Sequence, residues 1–236
     1  VLTATDNCTG VTPPPIPVLW INEMHYDNTG ADVGEFVEVA GTAGINLSDY
    51  SLILYNGANG QSYDTKLLSG TIPNESNGFG AAAFTYPSNG VQNGSPDGVA
   101  LVYNPTNTVL YFLSYEGVFT ATNGPANGQT SVDIGVFEAG TEAIGLSLRL
   151  TGTGSNYSAF SWQAPAAQSP GLLNQGQTMV NNSPPSTGQI TYTFNETKTV
   201  GSCPNAGTIA RTWTATDTCG NTSTYTQTIT VIDNTP

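Results

Sequence analysis

The chain has 236 residues, enough for one large or two small domains with their own cores, yet only 9% of them are charged, against the quarter usual in globular proteins. Four Lys and Arg against seventeen Asp and Glu give a net charge of −13, which excludes nucleic acid as a partner, because counterion release needs clustered cations, and disfavours anionic membranes. Aromatic and β-branched residues are too frequent for disorder, and no apolar run approaches the ~18 residues that would span a bilayer as a helix.

In chain order, Val1 to Val11 is Thr-rich and contains "TATDNC", and the Pro-rich seam "TPPPIP" follows from Thr12 to Pro17. Pro interrupts ladders and stiffens linkers, so this seam reads as a boundary. Period-two alternation then predicts strands at "LWINEMH", "EFVEVAG", "YSLILYN", "GVALVYN", "NTVLYFLSY" and "LSLRL", separated by turn clusters such as "NGANGQ", "NESNGFG" and "PSNGVQNGSPDG". A second Pro-rich seam, "NNSPPSTG", runs from Asn181 to Gly188. Beyond it "ITYTFNE" places Ile190, Tyr192 and Phe194 on one face and threonines on the other, and "YTQTITV" repeats the pattern. No stretch of about a dozen residues sustains helical periodicity, so the fold class is all-β.

The hexapeptide near the start recurs as "TATDTC" from Thr214 to Cys219. Neither flank is viable alone, but residues 1–11 joined to 189–236 make one small Thr-rich sandwich. The expected organisation is therefore a discontinuous domain, 1–11 and 189–236, carrying residues 15–177 as an inserted domain between linkers 12–17 and 178–188. The chain opens in mid-pattern at Val1, without an initiating Met or a signal peptide, and is expected to be part of something longer.

Two resemblances follow from quoted residues. "ATDNC", "ITYTFNET", "SCP", "RTWTATDTCGN" and "TITVIDNTP" resemble the HYR-like, immunoglobulin-like repeats of large secreted bacterial proteins, common in Bacteroidetes. The usual first strand of that pattern is absent here, and another domain fills a loop. The insert resembles the bacterial lamin-tail domain through "LWINEMHYDNTGADVGEFVEVAG", "LSDYSLILYNG", "NGSPDGVALV" and "FSWQAPAAQSPGLLNQGQ". The resemblances imply two immunoglobulin-like β-sandwiches, one inserted into a loop of the other. They also imply head-to-tail contacts with adjacent repeats or neighbouring subunits, and an exported, cell-surface location.

The three cysteines contain no C-x-x-C, and one His excludes the usual zinc ligand sets. Buried free thiols and one disulfide with a leftover Cys are both open, the second suiting an exported chain. In the resembling sandwiches the two loops that follow the hexapeptides lie at one end, which implies a Cys8–Cys219 disulfide and leaves Cys203 unpaired.

Catalytic signatures are missing: no nucleophile elbow, no phosphate loop and no H-E-x-x-H. Glu35 and Glu38, three apart on a strand, face opposite sides and cannot form a carboxylate dyad. Glu23 and His25 share a face and read as a polar edge pair beside a turn, so the chain is expected not to be an enzyme. Calcium is the one cofactor with a candidate loop, because Asp27, Asp32 and Glu35 fall within "DNTGADVGE" and calcium takes six to eight oxygens from such loops. Asp6 with Asp217 is the second candidate, brought together if the hexapeptides end on adjacent loops. Trp162 and Trp213 read as core, so a surface ligand or glycan would rest on exposed tyrosines. The expected function is a non-catalytic structural or adhesive segment of a secreted or cell-surface bacterial protein. The alternatives are an accessory module of an extracellular hydrolase or nuclease, and a filament subunit completed by a neighbour's strand.

Overall fold

The structure is a computed structural model that describes residues 18–180, 191–201, 206–216 and 222–232. The Val1–Val11 flank, the linker 12–17, residues 181–188 of the second linker, Asp6, Cys8, Cys203, Asp217 and Cys219 lie outside the described residues. The pairing of the flanks, the Cys8–Cys219 disulfide and the Asp6–Asp217 site therefore lie outside them too. The chain divides into two compact units, Val1–Asn181 and Asn182–Pro236. The described residues are mostly β-strand, as the alternation predicts, with three single-turn 3-10 helices.

The first unit is a sandwich of two sheets. Its strands are β1 (Leu19–His25), β2 (Phe36–Thr42), β3 (Tyr50–Asn56), β4 (Gln61–Leu67), β5 (Phe79–Thr85), β6 (Asp97–Tyr103), β7 (Thr108–Tyr115), β8 (Val132–Asp133), β9 (Leu146–Gly154), β10 (Phe160–Ala167) and β11 (Gln177–Met179). One sheet runs β10-β9-β1-β2-β5, with β11 paired in parallel to β9; the other runs β4-β3-β6-β7-β8. Leu19, Ile21 and Val39 of the first sheet meet Leu52, Val99 and Leu113 of the second in the central core.

Both outer faces are covered as well. The segment around Phe119, Ala121 and Ala126 lies on Ile53, Tyr55 and Phe112 of the five-stranded sheet. On the six-stranded sheet, Leu173 and Met179 close over Trp20, Phe79 and Leu150. This double covering explains why β1 is buried at all seven residues, since each face of the strand finds a partner layer. It also corrects one expectation: Glu23 and His25 do not form an edge pair. β1 lies between β9 and β2, and both side chains are buried. A second correction is at the boundary: β11 pairs Met179 with Gly154, so the sandwich extends past 177 into the expected linker.

The second unit is an antiparallel meander of β12 (Thr191–Val200), β13 (Gly207–Thr216) and β14 (Thr222–Val231). Pairing runs without a register shift from Thr191↔Thr216 to Val200↔Gly207 and from Gly207↔Val231 to Thr216↔Thr222. One face carries Phe194 against Trp213 at 5.0 Å, with the Arg211 guanidinium over both rings and paired to Glu196. Trp213, expected in a core, is half-buried, and Tyr192, Phe194 and Tyr225 are exposed.

Candidate functional site

The chemistry-bearing side chains of the sandwich gather in two groups, one at the end of β1 and one under the closing segment. Each group is built from carboxylates that end their hydrogen bonds on backbone N–H groups. This follows from composition: with so few Lys and Arg, a buried carboxylate must find its partners among amides and hydroxyls.

At the end of β1, His25 Nδ1 lies 2.9 Å from Glu138 Oε1. Its Nε2 faces Asn28 Oδ1 at 3.1 Å and the Val33 carbonyl at 3.2 Å. The Asn28 amide is oriented by its own bonds, since Nδ2 donates to the Thr29 and Ala31 carbonyls and Oδ1 accepts from Val33 N. Both imidazole nitrogens therefore face acceptors, and only the doubly protonated ring donates to both. Burial works against that charge, but the Glu138 carboxylate, Asn28 and Val33 hold the His25 pKa above its ordinary value. His25 is the one imidazole in the chain, and both of its ring nitrogens are occupied by these partners.

Glu138 also accepts from Tyr26 N at 2.7 Å and Asp27 N at 2.9 Å through Oε2, and its own N–H donates to Tyr26 Oη at 2.8 Å. Tyr26 Oη donates in turn to Glu116, and the Tyr26 ring stacks on Tyr115 with centroids 3.9 Å apart. A single residue of the 134–142 segment thus fixes the exit of β1.

The expected calcium loop lies beside this anchor, but its three carboxylates do not converge. Glu35 is buried and accepts from Gly90 N at 2.8 Å and Val91 N at 3.0 Å, one bond to each oxygen. Asp32 accepts from Asn28 N at 3.1 Å and Asn93 Nδ2 at 3.2 Å. What the structure brings together is Asp27 and Asp32: burial, then the neighbouring Asp32 carboxyl, push the Asp27 pKa up to about 6. Gly140 permits the packing, because a Cβ there would sit 3.0 Å from Asp27 Oδ2. Among the described residues no group of three or more His, Cys, Asp or Glu side chains is arranged to hold a metal ion.

Under the closing segment, Glu23 accepts from Ser147 Oγ, from Ser169 N at 2.9 Å and from Ser169 Oγ at 3.1 Å. Glu38 accepts from Asn22 Nδ2 at 2.9 Å and Gly171 N at 2.6 Å. Glu75 joins Ala81 N to Leu173 N, each at 2.8 Å. Burial, reinforced by the Glu23 charge, raises Glu38 well above the ordinary carboxyl value. Glu35 lies just before β2 and Glu38 within it, and the two share no hydrogen-bond partner.

A shallow hollow of about 220 Å³ lies along Asn56, Gln92, Asn93, Gly94 and Asp97. It is smaller than the ~300 Å³ at which small-molecule pockets begin. Its one carboxylate, Asp97, accepts from Gly57 N at 2.9 Å and Gly94 N at 2.8 Å.

The anchors Glu138, Glu75, Ser169 and Asn174, the last donating through Nδ2 to the Asn22 carbonyl at 3.1 Å and the Leu150 carbonyl at 3.0 Å, are invisible to motif reading, because each bonds to residues far away in sequence. The one available signal is Glu75, an isolated carboxylate in the turn cluster "NESNGFG". No family model matches the chain, and neither a curated protein nor a solved structure matches it.

Proposed function

We propose that the chain is a non-catalytic structural or adhesive segment of a large secreted or cell-surface bacterial protein. In this reading an HYR-like, immunoglobulin-like repeat, made from residues 1–11 and 189–236, carries a lamin-tail-like sandwich in one loop. The observation that carries the reading is how the sandwich uses its carboxylates. A general acid or base needs a titrating group within reach of a substrate in an accessible cleft. Here Glu23, Glu35, Glu38 and Glu138 are buried, each bonded to the backbone N–H of a crossing segment, and His25 is buried with both ring nitrogens against protein acceptors. Such groups stiffen loops at the cost of reactivity, which suits a scaffold and not a turnover site.

A second reading, a filament subunit completed by a neighbour's strand, is favoured by the exposure of Tyr192, Phe194 and Tyr225 on one face of the meander. A sheet face with exposed aromatic side chains invites a covering layer.

Limited proteolysis of the whole chain tests the primary reading. Cleavage confined to residues 12–17 and 181–188, leaving a sandwich that keeps its own melting transition, is the expected result. Turnover of a polysaccharide or nucleic acid that is abolished by Glu23→Gln or Glu138→Gln would overturn it.

A further inference from the structure

The meander presents two unlike faces. The charged side chains of its strands, Glu196, Lys198 and Arg211, share one face with the aromatic residues. On the other face every second residue of β14 from Thr222 to Thr230 is threonine. So are the positions beside them on β13 from Thr208 to Thr216, save Ala210, and on β12 from Thr193 to Thr199, save Asn195. The threonines of β12 and β14 are exposed and those of β13 half-buried or exposed, with no charged side chain among them.

The array is regular. Both ladders run through all ten residues without a bulge, whereas in the sandwich the β1–β2, β9–β10, β3–β4 and β6–β7 pairs all carry register shifts. Hydroxyls therefore recur about every 4.8 Å across the strands and about every 6.8 Å along them. Threonine is stiff at χ1, which limits where each hydroxyl can sit, and Thr212 Oγ1 lies 3.0 Å from Thr226 Oγ1 across the β13–β14 ladder, which holds that pair. With three strands, the sheet twist accumulates over only two steps of about 20–25°.

Three kinds of surface could meet such a face. A folded protein partner requires about 800 Å² from each side. This face measures roughly 10 by 27 Å at strand spacing, too small for a stable pair. A flexible glycan is gripped by aromatic platforms or pockets, and this face has neither. A rigid lattice of water is the remaining case. Each hydroxyl donates one hydrogen bond and accepts two, as a lattice water can satisfy. The adjacent methyl displaces disordered water, and the lack of charge leaves no tightly held ionic hydration to disrupt the lattice. The two repeats lie near those of water oxygens on the prism faces of hexagonal ice. We propose that the threonine face of β12–β13–β14 binds crystalline ice. This goes beyond the adhesive reading by naming a surface, and it does not depend on how the flanks pair.

The test is ice-affinity partitioning of the whole chain into slowly grown polycrystalline ice, with single-crystal growth watched in parallel. The intact chain is expected to enter the ice and to facet crystals. Thr212→Tyr and Thr226→Tyr, in the middle of the array, are expected to lower uptake to that of a non-binding control protein. Tyrosine keeps strand propensity, so an unchanged circular dichroism spectrum and melt separate loss of binding from loss of fold. Lys198→Ser, on the opposite face, is expected to leave uptake unchanged. Exclusion of the intact chain from ice, or uptake indifferent to both tyrosines, overturns the proposal. So does self-association that the same tyrosines abolish, which would assign the face to a second copy of the chain. None of these results changes the proteolysis pattern that tests the proposed function.

Discussion

His25 and Glu138 are 113 residues apart in sequence and 2.9 Å apart in the sandwich, both buried, imidazole Nδ1 against carboxylate Oε1. The second Glu138 oxygen holds two consecutive backbone N–H groups, those of Tyr26 and Asp27. One carboxylate therefore holds the buried imidazole and ends a central strand. Removing it leaves the buried imidazole Nδ1, the buried Tyr26 N–H and the half-buried Asp27 N–H without their acceptor. Glu138→Ala is expected to cost about 3–5 kcal/mol, the range for breaking a buried pair. Glu142, less buried and bonded to Ala139 N and Thr141 N, is the comparison, and its replacement by Ala should cost about 1 kcal/mol. Urea unfolding followed by tryptophan fluorescence reads both. A Glu138→Ala loss below about 1 kcal/mol would show that the pair is not an anchor.

The pH dependence has a definite sign. Asp27 has a folded pKa of about 6 against an ordinary 3.8. Between those values the folded chain binds more protons than the unfolded one, so stability falls as pH rises through about 6. His25 acts in the same direction: its folded pKa lies above 6.5, so its contribution is complete below 6.5 and is lost as pH climbs through the folded value. Glu142 acts oppositely. Burial opposes its charge, but the backbone N–H groups around it win and hold its pKa below 4.5, so its contribution is lost as pH falls through that lowered value. The melting temperature should therefore be higher near pH 5 than at pH 8, and Asp27→Asn should flatten the slope. A melting temperature that rises steadily from pH 5 to pH 8 would contradict this balance.

Calcium is the competing way to relieve the Asp27–Asp32 repulsion, and it is carried here as a proposal for that pair with Asn93 and without Glu35. A cation selective for the folded chain adds RT ln(1 + [L]/Kd), about 2.7 kcal/mol at a hundredfold excess over Kd. At pH 7.5 the expected outcome is a melting temperature raised by calcium and restored by chelator. Asp27→Asn with Asp32→Asn should remove the gain, and Glu35→Gln should keep it. Equal melting temperatures with calcium and with chelator would leave the proton as the only counter-ion of the pair.

The strands of both units were legible where alternation is strict, and β1, β3 and β7 fall where "LWINEMH", "YSLILYN" and "NTVLYFLSY" predict. β5 was not, because its "GAAAFT" core has no alternation to read. Its small residues serve a neighbour: Ala81, with Ala40 of β2, packs around the fully buried Trp20. The carboxylate anchors escaped for a different reason. A hydrogen bond from Glu23 to Ser169 or from Glu38 to Gly171 depends on how the closing segment crosses the sheet, which no local spacing encodes. The acidic loop was found, but its geometry was not, since backbone amides from residues 90 and 91 take the Glu35 oxygens.

The closing segment supplies the last prediction, because it decides where the sandwich ends. β11 adds Gln177, Thr178 and Met179 to the edge of β9 opposite Gly152, Thr153 and Gly154. Met179 is buried beside Trp20 and Phe160, and its carbonyl accepts from Asn77 Nδ2 at 2.7 Å. Val180 N donates to the Gly154 carbonyl at 2.8 Å. A fragment ending at Gln177 forfeits this burial, worth about 2 kcal/mol for a Met side chain, and leaves Asn77 without its acceptor at about a further 1 kcal/mol. A fragment of residues 15–181 should unfold cooperatively by itself. One of residues 15–177 should melt lower by roughly 6–12 °C, taking about 2–4 °C per kcal/mol at this size. Calorimetry of the two fragments side by side measures the difference. Coincident melts would mean that β11 contributes nothing to the sandwich and that its boundary lies at 177 after all.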